Sequence, residues 1–155
     1  MTTISEYLGQ DHRCCDKLFE QVERSVTKSH WDEAEAAFSE FDNAMQRHMV
    51  MEETVLFPAF EIATGIASGP TQVMRAEHRQ IRALLVGISF TLKERDAVGF
   101  DGHAETLNIL LQQHNLKEEG MLYPMSDRAL SGKQQEIIDA MHHITGVIAS
   151  CDMAA

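Results

Sequence analysis

Two stretches of the chain place histidine and glutamate four residues apart and then share a tail. They read His48-Met-Val-Met-Glu52-Glu53-Thr-Val-Leu56-Phe57-Pro58 and His114-Asn-Leu-Lys-Glu118-Glu119-Gly-Met-Leu122-Tyr123-Pro124. Residues four apart on a helix share a face, so each pair can aim an imidazole and a carboxylate at one point. A single pair means little, since a chain with 8 histidines and this much glutamate holds about one by chance. The second copy changes that. It lies 66 residues on (48 to 114), and the same shift carries Asp11-His12-Arg13 onto Glu77-His78-Arg79. His12, His48 and Glu52 with His78, His114 and Glu118 therefore read as two halves of one site, related by an approximate internal twofold.

Four imidazoles and two carboxylates from four helices suit a borderline metal such as iron, and a carboxylate can bridge two ions about 3.5 Å apart. Zinc and manganese tolerate similar ligands. Symmetry assigns His12 and His48 mainly to one ion and His78 and His114 mainly to the other, with Glu52 and Glu118 as bridges. A lone histidine on an apolar face is more often a hydrogen-bonded core residue, but six residues at one shared offset reverse that expectation. Glu52 and Glu118 fall in register with apolar Met45, Leu56, Leu111 and Leu122, and carboxylates are rarely buried without a partner.

The neighbours carry less. Glu53 and Glu119 point about 100° away and read as surface residues, with support of a ligand as the lesser alternative, so replacing Glu53 should change little. Asp16 lies one turn after His12 but its repeat mate is Arg82, which favours a hydrogen bond to the site or to a surface cation over a ligand role. Cys15 faces inward opposite Ile81 and reads as a small core residue. Tyr123 corresponds to Phe57, so packing is its default role, with a phenol that could ligate or donate a proton as the alternative. His30, His103, His142 and His143 have no histidine mates.

The elements that must position these residues are helices. Thr3-Ile-Ser-Glu6 is a capping box opening a helix to about Val26, and Ser29-His-Trp-Asp32 resembles a cap for a second. Thr64-Gly-Ile-Ala-Ser-Gly-Pro70 breaks the chain between the repeats, a third helix spans about Thr71 to Glu94, and a fourth starts near Asp101 with Met121 and Leu122 inward. Pro58 and Pro124 should kink or end their helices. Ser131-Gly-Lys-Gln134 caps a short fifth helix through Ile137, Ile138, Met141, Ile144 and Ile148. The expected fold is all-α: an up-down four-helix bundle with a short fifth C-terminal helix and a pseudo-twofold, in one domain over 1–155 with repeat halves of about 1–66 and 67–130.

Composition agrees with a globular domain, 44% apolar and 24% charged over 155 residues. The formal charge of −11 opposes binding to nucleic acid or an anionic membrane, and no apolar run approaches the length of a membrane span. Three cysteines, two of them adjacent, do not form a secreted disulfide framework, and nothing at the N-terminus looks like a signal peptide, so a cytoplasmic setting is expected.

The doubled His-x-x-x-Glu-Glu-x-x-Leu-Phe/Tyr-Pro and the two isolated helix histidines resemble the hemerythrin-like, or HHE cation-binding, family over about residues 8 to 125. The resemblance maps the family's ligands to His12, His48, Glu52, His78, His114 and Glu118, and implies an oxo- or hydroxo-bridged di-iron centre. Oxygen carriers of the family add a histidine one turn before the one at position 78, where this chain has Met74, and end their last motif on Asp rather than Glu118. A site open at both ions is expected to react with hydrogen peroxide, oxygen or nitric oxide rather than to carry oxygen reversibly. The alternative is an iron or oxygen sensor, or an iron-binding protein, acting through a protein partner.

Overall fold

The computed structural model describes residues 1–144. Every regular element among them is helical. Helix α1 spans Ile4–Thr27, α2 Trp31–Met51, α3 Phe57–Thr64, α4 Pro70–Lys93, α5 Ala97–Lys117, α6 Tyr123–Ala129 and α7 Gln134–His142, with π-helical turns at Glu52–Leu56 and Glu118–Leu122. The turns splice α2 to α3 and α5 to α6, so the expected four long helices are present as an all-α bundle, with α7 as the short fifth helix.

The repeat extends from the motifs to the backbone. α1 and α4, α2 and α5, and the two π turns begin and end 66 residues apart (4 to 70, 31 to 97, 52 to 118). Even the connecting turns match, since Ser29 (φ 57) and Arg95 (φ 54) are the two non-glycine residues with positive φ among those described. Short links at 28–30 and 94–96 fold α1 against α2 and α4 against α5 as helical hairpins.

Several expected boundaries shift. Thr3 forms the capping box with Glu6 as expected. Ser29-His-Trp-Asp32 does not cap α2: His30 holds the cap position without a side-chain bond, because Ser29 is spent in the left-handed turn. α5 starts at Ala97, four residues before Asp101, because the Asp96 carboxylate accepts the Gly99 N–H at 2.9 Å and caps it. Ser131-Gly-Lys-Gln134 forms no capping box, since Lys133 takes the cap position and the Gln134 side chain instead accepts from the Gly132 N–H. α7 ends at His142; Ile144 is half-buried, and Ile148 lies outside the described residues.

Pro58 and Pro124 neither end nor sharply break their helices. A proline ring clashes with the carbonyl four residues back in an α-helix. The π turns widen the backbone just ahead of each ring, with Phe57 and Tyr123 donating their N–H to the carbonyls of Glu52 and Glu118, five residues back. The wider turn swings Met121 out to 55% exposure, against the inward position that an unbroken 3.6 period assigns it.

Apolar side chains form two clusters. One gathers Cys15, Phe19, Phe41, Met45, Met49, Ile81, Leu85 and Leu111; the other gathers Leu8, Met51, Leu56, Phe57, Met74, Leu122 and Tyr123. Along each long helix the motif histidine falls between the two. No described helix is long and apolar enough to cross a membrane.

The start of α1 is pinned from a distance. Asp127 of α6 accepts the Ile4 N–H at 2.8 Å, the Ser5 N–H at 3.2 Å and the Ser5 hydroxyl at 2.6 Å. Asp127→Ala is expected to cost about 1–2 kcal/mol, as loss of a helix cap does, measured from the denaturant midpoint. An unchanged midpoint would show that the bridge contributes nothing.

Candidate metal centre

The six candidate ligands occupy three matched positions of the repeat, and all are buried: His12 on α1, His48 on α2, His78 on α4, His114 on α5, with Glu52 and Glu118 opening the two π turns. One ligand atom from each of His12, His48, Glu52 and Glu118 lies within 4.8 Å of the others, and the same holds for Glu52, His78, His114 and Glu118. Both carboxylates belong to both groups. Glu52 turns Oε1 toward His48, 3.6 Å from its Nε2, and Oε2 toward His78, 3.1 Å from its Nε2. Glu118 sets Oε1 3.1 Å from Nε2 of both His12 and His114. The structure thus groups the histidines in the two pairs expected from the repeat and sets both carboxylates between them.

A second ring of acids fixes the imidazoles. Nδ1 of His48 lies 2.7 Å from Asp11, Nδ1 of His114 2.8 Å from Glu77, Nδ1 of His12 2.7 Å from Glu119 and Nδ1 of His78 3.1 Å from Glu53. A carboxylate at Nδ1 takes that nitrogen's proton as a hydrogen bond, which turns Nε2 inward, where its lone pair is offered once any second proton is displaced. Asp11 and Glu77 are repeat mates, and so are Glu53 and Glu119. Glu53 is gripped in turn by Arg82, and Glu77 by Lys117. Burial opposes the charge on Asp11, Glu53 and Glu77, but these partners outweigh it and hold each carboxyl below its usual range.

Glu53 and Glu119 are therefore not idle surface residues, contrary to the expectation from helix periodicity. Their backbone does turn away from Glu52 and Glu118, but their side chains reach across to histidines on neighbouring helices. The sequence carried a signal for this. The shift that pairs the ligands also pairs these four acids.

Tyr123 departs further from its packing role. Five residues after Glu118 a regular helix would put it about 140° away. Through the π turn, five residues make close to one full turn, and the phenol returns to the site. Its oxygen donates to Glu52 Oε1 and lies 3.1 Å from Glu118 Oε1, 3.1 Å from His12 Nε2 and 3.5 Å from His48 Nε2. Burial, with the charges of Glu118 and Glu52, raises the phenol well above its ordinary value, so it keeps its proton. Its mate Phe57 stacks on His78 at 5.7 Å between ring centroids. The site is thus symmetric in its ligands and asymmetric in its lid. Cys15 is a buried core thiol raised well above its ordinary value by burial, and Asp16 is exposed and belongs to neither ligand group.

The donor set fits a cation better than it fits itself. Nε2 of His12 and of His48 face each other at 3.1 Å with both Nδ1 atoms already committed. Oε2 of Glu52, Oε2 of Glu118 and Nε2 of His78 are buried with no hydrogen-bond partner. Unpaired buried groups of this kind are costly, and converging lone pairs more so, unless a metal satisfies them together.

The family model described as the Hemerythrin HHE cation binding domain matches residues 3–126. The chain belongs to that family. Neither the curated proteins nor the solved structures offer a match to it. The matched span takes in all six buried ligand candidates and the acids behind them, so the His/Glu cluster that could hold a cation lies within the HHE domain.

Two predictions follow from the geometry. Glu52→Ala is expected to abolish metal retention, whereas Glu53→Ala and Asp11→Ala should each weaken metal affinity about 10–100-fold, as loss of a residue behind a ligand does; metal-competition titration measures this, and wild-type affinity in Glu53→Ala would contradict it. Burial opposes charge on His48, but Glu52 and Asp11 outweigh it and push it up to about 10, and His114 is raised as well. Metal must displace these protons. Binding at neutral pH should release protons and tighten as pH rises toward about 10, which calorimetry in buffers of differing ionisation heat will show.

Proposed function

We propose that this chain is a non-haem di-iron protein that reacts with small oxidants, namely hydrogen peroxide, oxygen or nitric oxide, in oxidative or nitrosative stress handling. The observation that carries the reading is the count and placement of donors. Each half of the cluster offers two imidazoles and a share of two carboxylates, and the place one turn before His78 is filled by Met74, which is buried with Phe57 and Leu122 in an apolar cluster. Such a set leaves coordination positions to a small reactant.

When bound, iron supplies Lewis acidity and a change of oxidation state at those positions. The chain's own residues do the rest. Asp11, Glu53, Glu77 and Glu119 hold the four imidazoles by Nδ1 so that Nε2 cannot turn away. Glu118 is opposed by burial but kept well below the usual carboxylate range by His114 and His12, so it stays an anion at neutral pH. Tyr123 holds an O–H amid the ligand atoms of the His12 half, within reach of a reactant that enters there. Leu56, Phe57, Met74 and Leu122 wall off bulk water on one side.

The iron-loaded protein is expected to consume hydrogen peroxide, or to react irreversibly with nitric oxide or oxygen, without a long-lived oxygen adduct. Tyr123→Phe should keep its metal and lose about a hundredfold in rate, the usual scale for a positioned proton donor. Met74→His would add a donor one turn from His78 and should slow the reaction. Release of bound oxygen under vacuum cycling would contradict the reading. Inertness to all three oxidants, with unfolding on iron removal, would favour a sensor or iron-binding role through a protein partner.

A further inference from the structure

The two halves of the site differ in what stands outside them. Over His78, Arg82 of α4 donates Nη1 and Nη2 to the two oxygens of Glu53 at 3.0 and 2.7 Å, and Nε to Gln46 of α2 at 3.2 Å. A cleft of about 490 Å³ lies beside it on the seam between α2 and α4, lined by Gln46 and Arg82, but neither Glu53 nor His78 is part of that lining, so the guanidinium stands between the cleft and the ligand. The 66-residue shift places Asp16 opposite Arg82, Glu119 opposite Glu53 and Gln112 opposite Gln46. On that side an acid replaces the arginine, and the seam between α1 and α5 opens into a cleft of about 380 Å³. Asp16, Gln112, Asn115 and Glu119 line it, and His12 is part of the same lining.

We propose that this cleft is the path by which a divalent cation reaches the buried ligands, passing from Asp16 and Glu119 to His12. The proposal rests on the metal-binding reading of the cluster. Glu119 faces both ways: its side chain is 44% exposed against 23% for Glu53, and it reaches His12 Nδ1 at 2.7 Å. Free of an arginine clamp, it can swing outward, meet a cation and return with it. Arg13, the cation of the lining, bonds Gln10 at 3.1 Å. Carboxylates at a mouth raise the local concentration of cations, whereas Arg82 at the mate position repels a cation and covers the Glu53 carboxylate.

The test is the rate of metal exchange in the full chain. Metal is extracted from the loaded protein with excess chelator, and uptake of cobalt(II) by the metal-free protein is followed by its visible absorption. Asp16→Arg, which rebuilds against Glu119 the clamp seen at Arg82 and Glu53, should slow uptake and extraction alike by roughly tenfold or more, with final stoichiometry unchanged. Asp16→Asn should load more slowly than wild type and lose the salt dependence of the wild-type rate. Wild-type rates in both variants would overturn the route while leaving the metal site standing. Loss of stoichiometry in Asp16→Asn would place Asp16 among the ligands and also overturn it. A wild-type chain that takes up no cobalt would overturn the metal reading and the route with it.

Discussion

Four imidazole nitrogens and two carboxylates point at one another in the middle of the bundle, away from water, with their outer atoms already committed to other acids. Converging lone pairs and anions in a low-dielectric interior repel, and burial multiplies the cost. Without a metal, protons on His48 and His114 offset part of that repulsion, and a metal cation at the centre would replace them and engage all six groups together. The rest of the structure serves this constraint. Apolar clusters above and below keep the layer dry and hold the four long helices at a fixed spacing, and Asp11, Glu53, Glu77 and Glu119 tie each imidazole to a neighbouring element so that the donors stay aimed inward.

The π turns are the second device that the site depends on. They begin at the bridging glutamates and end just ahead of the prolines, so one local distortion both accommodates the ring and re-phases the helix. Re-phasing brings residue 57 in one half and residue 123 in the other back over the ligands. Duplication made the positions equivalent, but the residue types at them differ. Phenylalanine covers His78, while a protonated phenol touches His12, His48 and both carboxylates. The same logic separates Arg82 from Asp16 outside the ligands. In a twofold frame with unlike residues at matched positions, a cleft on one side includes a ligand histidine, His12, in its lining, while on the other Arg82 stands between the cleft and His78.

Much of this was legible in the sequence because a shift of 66 residues is a property of the chain itself. His12, His48, Glu52, His78, His114 and Glu118 could be pooled without any knowledge of the bundle, and the structure brings all six together. What was not legible rests on interactions between elements or on departures from the regular helix. Periodicity turns Glu53 and Glu119 away from the site and says nothing of a side chain reaching across to another helix. It places Tyr123 among packing residues and Met121 inward because it assumes 3.6 residues per turn through a segment that is wider. The start at Ala97 is set by the Asp96 cap, which sequence spacing alone does not rank, and α7 starts at Gln134 with no side-chain cap at all. In the case of Ala97 the repeat could have corrected the boundary, since the cap expected at Ser29–Asp32 shifts onto 95–98.

On the proposed function, the buried cluster holds two iron ions. Metal analysis with an optical spectrum, on protein purified without added metal, tests it most directly. About two irons per chain, with near-ultraviolet absorption from a bridging oxygen, is the result that four histidines and two shared carboxylates predict. A chain that carries stoichiometric zinc, or that folds to the same stability with no metal in the cluster, would contradict it.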